Sequence, residues 1–306
     1  MTGQVIEITN PGYWIHKTRG FLEVLHRDQQ LGRVPLDDIA AVIVSVPGCS
    51  ISTVLLDELS QRNIPLVVCG ANYLPCSWTL PVSGHNRQFQ VMRAQIALSE
   101  PQRKRAWQRI VRSKITNQAE MLLRANQSNR QLLRMVNKVR SGDPDNYEAQ
   151  AARFYWQTLF GSEFRRNPKS GGLNTALNYC YTVVRACVAR AVCSAGLHPS
   201  FSLHHRNPQN PLNLVDDLME PYRPVADYMI WLNTRDGAEE TYEVLTPEKK
   251  TSLAAVVSIT LPIGEDTSPL SLAAAKMCRT FADYCLGNGS DFHTPSMPID
   301  EGDQIL

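Results

Sequence analysis

Up to residue 70 the chain is built of short apolar runs broken by turn residues; after residue 89 apolar positions recur three and four apart. QVIEIT, YWIHK, FLEVLH, GRVPL and DDIAAVIVSV are β-branched and apolar, separated by Asn10-Pro11-Gly12, Arg19-Gly20 and a polar bend. Such runs at close spacing predict a meander of strands. Val54, Leu55 and Leu59 carry helical spacing over 52–62, and IPLVVCG from Ile64 returns to a buried strand. Together these form a β-rich domain over 1–76, near the lower size for a self-sufficient core and better suited to dimerisation or positioning than to catalysis. Irregular text from 71 to 90, with Pro75, Pro81, Gly84 and a Trp78 expected at the surface, reads as a linker, drawn at 77–90.

Helical spacing then runs over 89–99, 102–125 and 128–139, breaks at SGDPDN, and resumes near Tyr147. Further helices are predicted over 172–195, from Asn213, over 222–233, 247–259 and 269–286, the fourth opened by Thr246 as cap and Pro247 at the first helical position. Residues 91–286 are therefore expected to be an all-α domain, and the polar, acidic, proline-bearing 287–306 a disordered tail.

Composition narrows the class. The 306 residues are 43% hydrophobic and 20% charged, as in a soluble globular protein, with no run of 18 apolar residues and no secretion signal in the first 20, so an intracellular, membrane-free location is expected. Eight cysteines lack any CxxC pair, which argues against a zinc ribbon or thioredoxin motif and for core thiols in a reducing compartment. The formal charge of +2 conceals segregation: residues 85–140 hold thirteen Lys or Arg against only Glu100 and Glu120. Solvated faces usually mix signs, so this segment points to a polyanionic partner.

Candidate chemistry concentrates in 203–224, LHHRNPQNPLNLVDDLMEPYRP. Asn213 is a candidate N-cap with Asp216 returning a hydrogen bond, and Leu214, Val215, Leu218 and Met219 give an apolar stripe. Asp217 and Glu220, three apart, share a helix face; Pro221 and Pro224 kink or stop the helix beyond them. Carboxylates at a helix break with a histidine 15 residues before Glu220 suit a hard divalent cation. The competing interpretation is a surface helix with solvated acids and a His205 that caps or fills a core gap. Glu148, in NYEAQAARFYWQTLFG, stands in the first turn of its helix, where it also serves the helix dipole.

The segments YEAQAARFYWQTLFG, GLHP and LHHRNPQNPLNLVDDLMEPYRP resemble, in order, the CRISPR-associated integrase family that captures new spacers, in its type II form. The resemblance extends from the N-terminal strands to about residue 286. It implies an α+β fold, an N-terminal β-sandwich followed by a larger all-α catalytic domain. It implies a metal site of Glu148, His205 and Glu220, with Asp217 as a further carboxylate and His204 as the rival of His205. Two carboxylates and an imidazole suit Mg²⁺ or Mn²⁺. The implied reaction joins the 3′-hydroxyl ends of short DNA duplexes into the repeat array by transesterification, for antiviral defence; with water as nucleophile the same site is a DNase. A stand-alone nuclease and a non-catalytic DNA-binding scaffold are the alternatives.

On this reading Arg103, Lys104, Arg105, Arg109 and Arg112 contact DNA phosphates, with Arg165, Arg166, Lys169, Arg206 and Arg223 behind them. Trp107, Phe154, Tyr155 and Trp156 are assigned to the core. The implied partners are the prespacer and repeat DNA, a second copy of the chain, a dimer of a small ferredoxin-like CRISPR-associated protein, and the type II effector nuclease, in a prokaryotic cytoplasm.

Overall fold

The computed structural model describes residues 4–70, 75–82, 85–234, 242 and 244–299. A strand-rich N-terminal part leads into a mostly helical body, as expected. Strands β1 (Gln4–Ile8), β2 (Tyr13–Thr18), β3 (Phe21–His26), β4 (Gln29–Pro35), β5 (Ile39–Val44), β6 (Ser50–Ile51), β7 (Leu66–Cys69) and β8 (Pro75–Thr79) form two four-stranded sheets, with helix α1 (Thr53–Gln61) between β6 and β7. One sheet has the order β4-β3-β2-β6 and contains the predicted antiparallel meander through β2, β3 and β4. The other, β1-β5-β7-β8, departs from it: β1 pairs in parallel with β5, and β5 in parallel with β7.

The apolar run IAAVIV explains that arrangement. Val42 and Val44 lie in the core shared by the two sheets, with Ile8, Ile15, Leu22 and Leu55, whereas Ala41 and Ile43 belong to the core of the helical body. A strand buried on both faces needs no polar alternation, and parallel pairing in a covered sheet satisfies it. The expected linker is partly strand: β8 closes this sheet by antiparallel pairing with β7, and the Arg185 guanidinium, 5.5 Å over the half-buried Trp78 ring, links that edge to the helical body. Residues 71–74 and 83–84 of that segment lie outside the described residues. Glu7 on β1 ties the two parts further, accepting from Tyr179 Oη (2.9 Å) and Lys250 Nζ (2.6 Å).

The helical body comprises α2 (Gln88–Ile96), α3 (Glu100–Arg124), α4 (Arg130–Lys138), α5 (Tyr147–Phe160), α6 (Leu173–Ser194), α7 (Asn213–Met219), α8 (Arg223–Thr234), α9 (Pro247–Ala254) and α10 (Leu270–Leu286). The 22-residue α6 is its shaft, with Leu177, Val183, Val184, Val188 and Val192 fully enclosed. The all-α expectation misses a hairpin, β9 (Thr260–Ile263) and β10 (Asp266–Pro269), turned at the positive-φ Gly264. Its short β-branched text fills the gap between the helices predicted over 247–259 and 269–286, the first of which is α9 followed by a 3₁₀ turn over 255–258.

The expected disorder from 287 is corrected through residue 299. Phe292 and Met297 are buried, the first edge-on to Phe281 at 5.2 Å, and the backbone of Pro295 accepts from Asn117 on α3. Two apolar side chains in polar text suffice to hold the segment down. Residues 300–306 lie outside the described residues.

Candidate active site

Three elements distant in sequence meet beside α3. Ser99 and Gln102 close a capping box at the start of α3, and Pro101 takes an early helical position that needs no amide donor. Along its buried face come Trp107, Ile110, Val111, Lys114, Ile115 and Gln118. Lys114 is thus a cation on an apolar stripe, 5% exposed. Its ammonium bridges Glu148 and Glu220, lying 2.5 Å from Glu220 Oε2.

Local structure presents each carboxylate. Asp143 accepts from the amides of Tyr147 and Glu148, both at 2.9 Å, so it caps α5 and fixes Glu148 in the first turn. Glu220 stands where α7 gives way to a single 3₁₀ turn over 220–222 before α8, the break expected from Pro221 and Pro224. Arg223 Nε donates to Glu220 Oε1 at 2.8 Å. Burial by itself raises the Glu220 pKa, but Arg223 and Lys114 outweigh it and hold the carboxyl well below the usual range. For Lys114 burial works downward, and Glu220 and Glu148 more than reverse it.

The expected cap at Asn213 is not made. Asn213 begins α7 and turns its side chain to Asn207 and Asn210, while Asp216 pairs with Arg185 (Oδ1 2.6 Å) instead of returning a bond. These bonds knit the 205–212 loop to α6. Asp217, fully enclosed, does not share an outlook with Glu220: its carboxylate accepts from the amides of Leu203 (2.6 Å), His204 (3.0 Å) and His205 (3.2 Å), and meets His205 Nδ1 at 2.6 Å. A helix-face argument fails there because the chain folds the 203–205 backbone back onto that face.

The two histidines are set apart by their surroundings. The hydrogen bond that His205 donates to the Asp217 carboxylate raises the His205 pKa against the effect of burial. His204 stacks flat on Trp107 (4.3 Å, 1°), and loss of water lowers its pKa. Asp217 therefore orients His205 through Nδ1, on a side chain that remains 43% exposed.

Structure thus brings Glu148 and Glu220 together on one cation, while His205 is held by Asp217 and stands edge-on to Trp107 of α3, outside that bridge. Among the described residues no three His, Cys, Asp or Glu side chains form a ready ligand sphere for a metal. The donor set still fits a hard cation. Glu148 and Glu220 already converge on one positive charge, the Lys114 ammonium 2.5 Å from the buried Glu220 Oε2, and two carboxylates sharing a cation are the donors such an ion takes.

The predicted arginines separate. With 3.6 residues per turn, Arg105, Arg109 and Arg112 stand on the face of α3 opposite Lys114, whereas Arg103 shares the site's side and lines a cleft with Arg206, Ser200, Ser202 and Phe201. Lys104 pairs with Glu100 (2.7 Å), and Arg165 donates to Phe164 O (2.9 Å). Arg166 bonds Asn174 (3.0 Å) and Asn178 (2.8 Å) and, like Arg223, lies over the Tyr181 ring. Lys114, Asp143 and Arg185 escaped the sequence reading; only Lys114 leaves a trace there, as a charge on the apolar stripe of α3.

A family model described as CRISPR associated protein Cas1 matches residues 6–246. A CRISPR-associated endonuclease Cas1 of Neisseria meningitidis serogroup C (strain 8013) is 39% identical over 232 residues, 75% of each chain. One from Pyrobaculum aerophilum is 28% identical over 232 residues, covering 70% of this chain and 76% of that protein. Among solved structures, a casposase bound to integration product superposes with TM-score 0.77 at 18% identity over 94% of this chain and 92% of the other. A Cas1 protein from Thermotoga maritima does so at 0.72, 18% identity, over 93% and 97%.

Proposed function

The chain belongs to the Cas1 family, and from that premise we propose that it is a metal-dependent DNA integrase and endonuclease of CRISPR adaptation. Curated relatives are named as endonucleases, and the chain is an enzyme of that class. The observation that supports the reading is the convergence of Glu148 and Glu220, 72 residues apart, on one buried positive charge. Glu148, Glu220 and His205 would hold a Mg²⁺ or Mn²⁺, for which the Lys114 ammonium must give way. When bound, the cation supplies Lewis-acid polarisation of a phosphodiester and charge relief for its leaving oxygen.

This chain's own residues do the rest. Asp217 keeps His205 oriented, Asp143 keeps Glu148 in place, and Arg223 keeps Glu220 ionised through the acid range. Arg103 and Arg206, beside the His205 loop, position a DNA backbone without reading sequence. The 3′-hydroxyl of a short duplex attacks a phosphorus of the repeat array; one P–O bond forms, one breaks, and the displaced strand carries away the proton as a new hydroxyl. No nucleotide triphosphate is needed.

The type II assignment is supported by the Neisseria relative. The wider assembly follows the resemblance: a homodimer through the β domain, two such dimers about a dimer of a small CRISPR-associated protein, and the effector nuclease, in a prokaryotic cytoplasm. Solved neighbours that include complexes of Cas1 with Cas2 are compatible with it.

A joining assay tests the function. Duplex with a free 3′-hydroxyl should be joined to a repeat-bearing plasmid, and 3′-blocked duplex should not. Glu148→Gln and Glu220→Gln should each abolish joining. A protein that releases fragments and joins none is a stand-alone nuclease; variants that keep full activity mark a scaffold.

A further inference from the structure

We propose that the groove on the far face of α3 is a second site for a DNA sugar-phosphate backbone, separate from the catalytic centre; the proposal rests on the reading of the chain as a strand-joining enzyme. Such an enzyme must hold two backbones at once, the incoming end and the acceptor duplex. The cleft beside His205, with Arg103 and Arg206, has a volume of about 240 Å³ and accommodates a short stretch of one strand. The basic row of α3 faces away from it.

That row lines a larger cavity of about 480 Å³, closed on its other side by the C-terminal segment. Arg105, Arg109 and Arg112 form one wall; the hydroxyls of Ser290, Thr294 and Ser296 stand in the other. Arg105 and Arg112 are exposed, although Arg112 also donates to the Val139 carbonyl at 2.9 Å. Steps of four and three residues place the three arginine Cα atoms about 6 Å and about 4.5 Å apart along the helix axis, a row that one strand's phosphates can follow. Neutral hydroxyls opposite cations suit phosphate oxygens, which accept from both.

Asp291 is the exception that sets the test. Its carboxylate pairs with Arg109, whose guanidinium also lies 5.7 Å from the Phe292 ring centroid and whose Nε is buried without a hydrogen-bond partner. Asp291 thus occupies the middle of the row as a phosphate would, and DNA binds by taking its place. An acidic peptide could also supply the acceptors, and the strand-joining reading on which this proposal rests favours the nucleic-acid strand over it.

Binding of a short blunt duplex to the full chain, followed by fluorescence anisotropy across a salt series, decides it. Arg105→Gln/Arg112→Gln should lower the log–log salt slope by about 2 and weaken affinity roughly ten-fold at moderate salt. Asp291→Asn should act in the opposite direction, tightening binding a few-fold, a result no misfolded variant would give. An unchanged slope in the double variant, an Asp291→Asn protein that binds like wild type, or polyglutamate that competes as well as DNA would each overturn the proposal. Binding is read without catalysis, so a wild-type protein that shows the full slope yet joins no strands overturns the integrase reading alone.

Discussion

Glu220 and Asp227 are seven residues apart on either side of the Pro224 break, and both carboxylates are buried, 5% and 1% exposed. Glu220 faces Lys114 and Arg223 and is held as an anion. Asp227 faces two phenols, Tyr155 Oη at 2.9 Å and Tyr181 Oη at 2.7 Å, and burial pushes its pKa up to about 7 despite those hydrogen bonds and the more distant Arg223 and Arg166. Burial is common to both. The contacting cation decides which carboxylate keeps its charge, and so which can serve as a ligand.

The strongest way to break this contrast is to remove the cation. Lys114→Met leaves Glu220 with Arg223 alone and Glu148 without its ammonium; unfolding by urea at neutral pH in chelator should show a loss of about 3–5 kcal/mol. Added Mn²⁺ should restore part of it, and a variant as stable as wild type would mean the bridge is not the counter-charge.

A gentler probe acts on the neutral side. Burial lifts the folded Asp227 pKa to about 7 from an ordinary 3.8, so between those pH values the folded state holds a proton that the unfolded state has released. Its contribution to stability is greatest below the lower value and declines as pH rises toward the upper, by up to about 1.4 kcal/mol per pH unit. Asp227→Asn should flatten the stability profile across that window while leaving its shape above it unchanged; an unaltered slope would show Asp227 ionised throughout.

The smallest effect belongs to an ion pair in water. Arg140 and Asp145 meet at 3.0 Å with side chains 68% and 41% exposed, and Arg140→Gln should change the urea midpoint by less than the equivalent of about 1 kcal/mol. A larger loss would mean that exposure does not separate this pair from the Lys114 bridge.

Most of the helices were legible because their apolar stripes run long: α3, α6 and α10 begin and end within about three residues of the spacing in the text. The sheet was less legible. Strand identity follows from composition, but β1 pairs with β5 across an intervening meander, and nothing within QVIEIT names its partner. The segment after residue 287 was misjudged for a similar reason, since two buried apolar side chains outweigh a polar average only when a surface exists to receive them. At the site the residue types were recognisable from 203–224 and from Glu148, whereas Asp217 was placed on the wrong outlook because its partners are backbone amides that carry no side-chain signature.

By itself the amino-acid order determined where helices and strands lie, that one segment is basic, and which acids and imidazoles are candidates, since all of these are local properties of spacing and composition. Tertiary structure alone decided that Lys114 joins Glu148 to Glu220, that Asp217 orients His205, and that the α3 arginines divide between two faces. Those outcomes depend on which distant groups share one small volume, and electrostatic energy there depends on distance and lost water, neither of which is written along a chain.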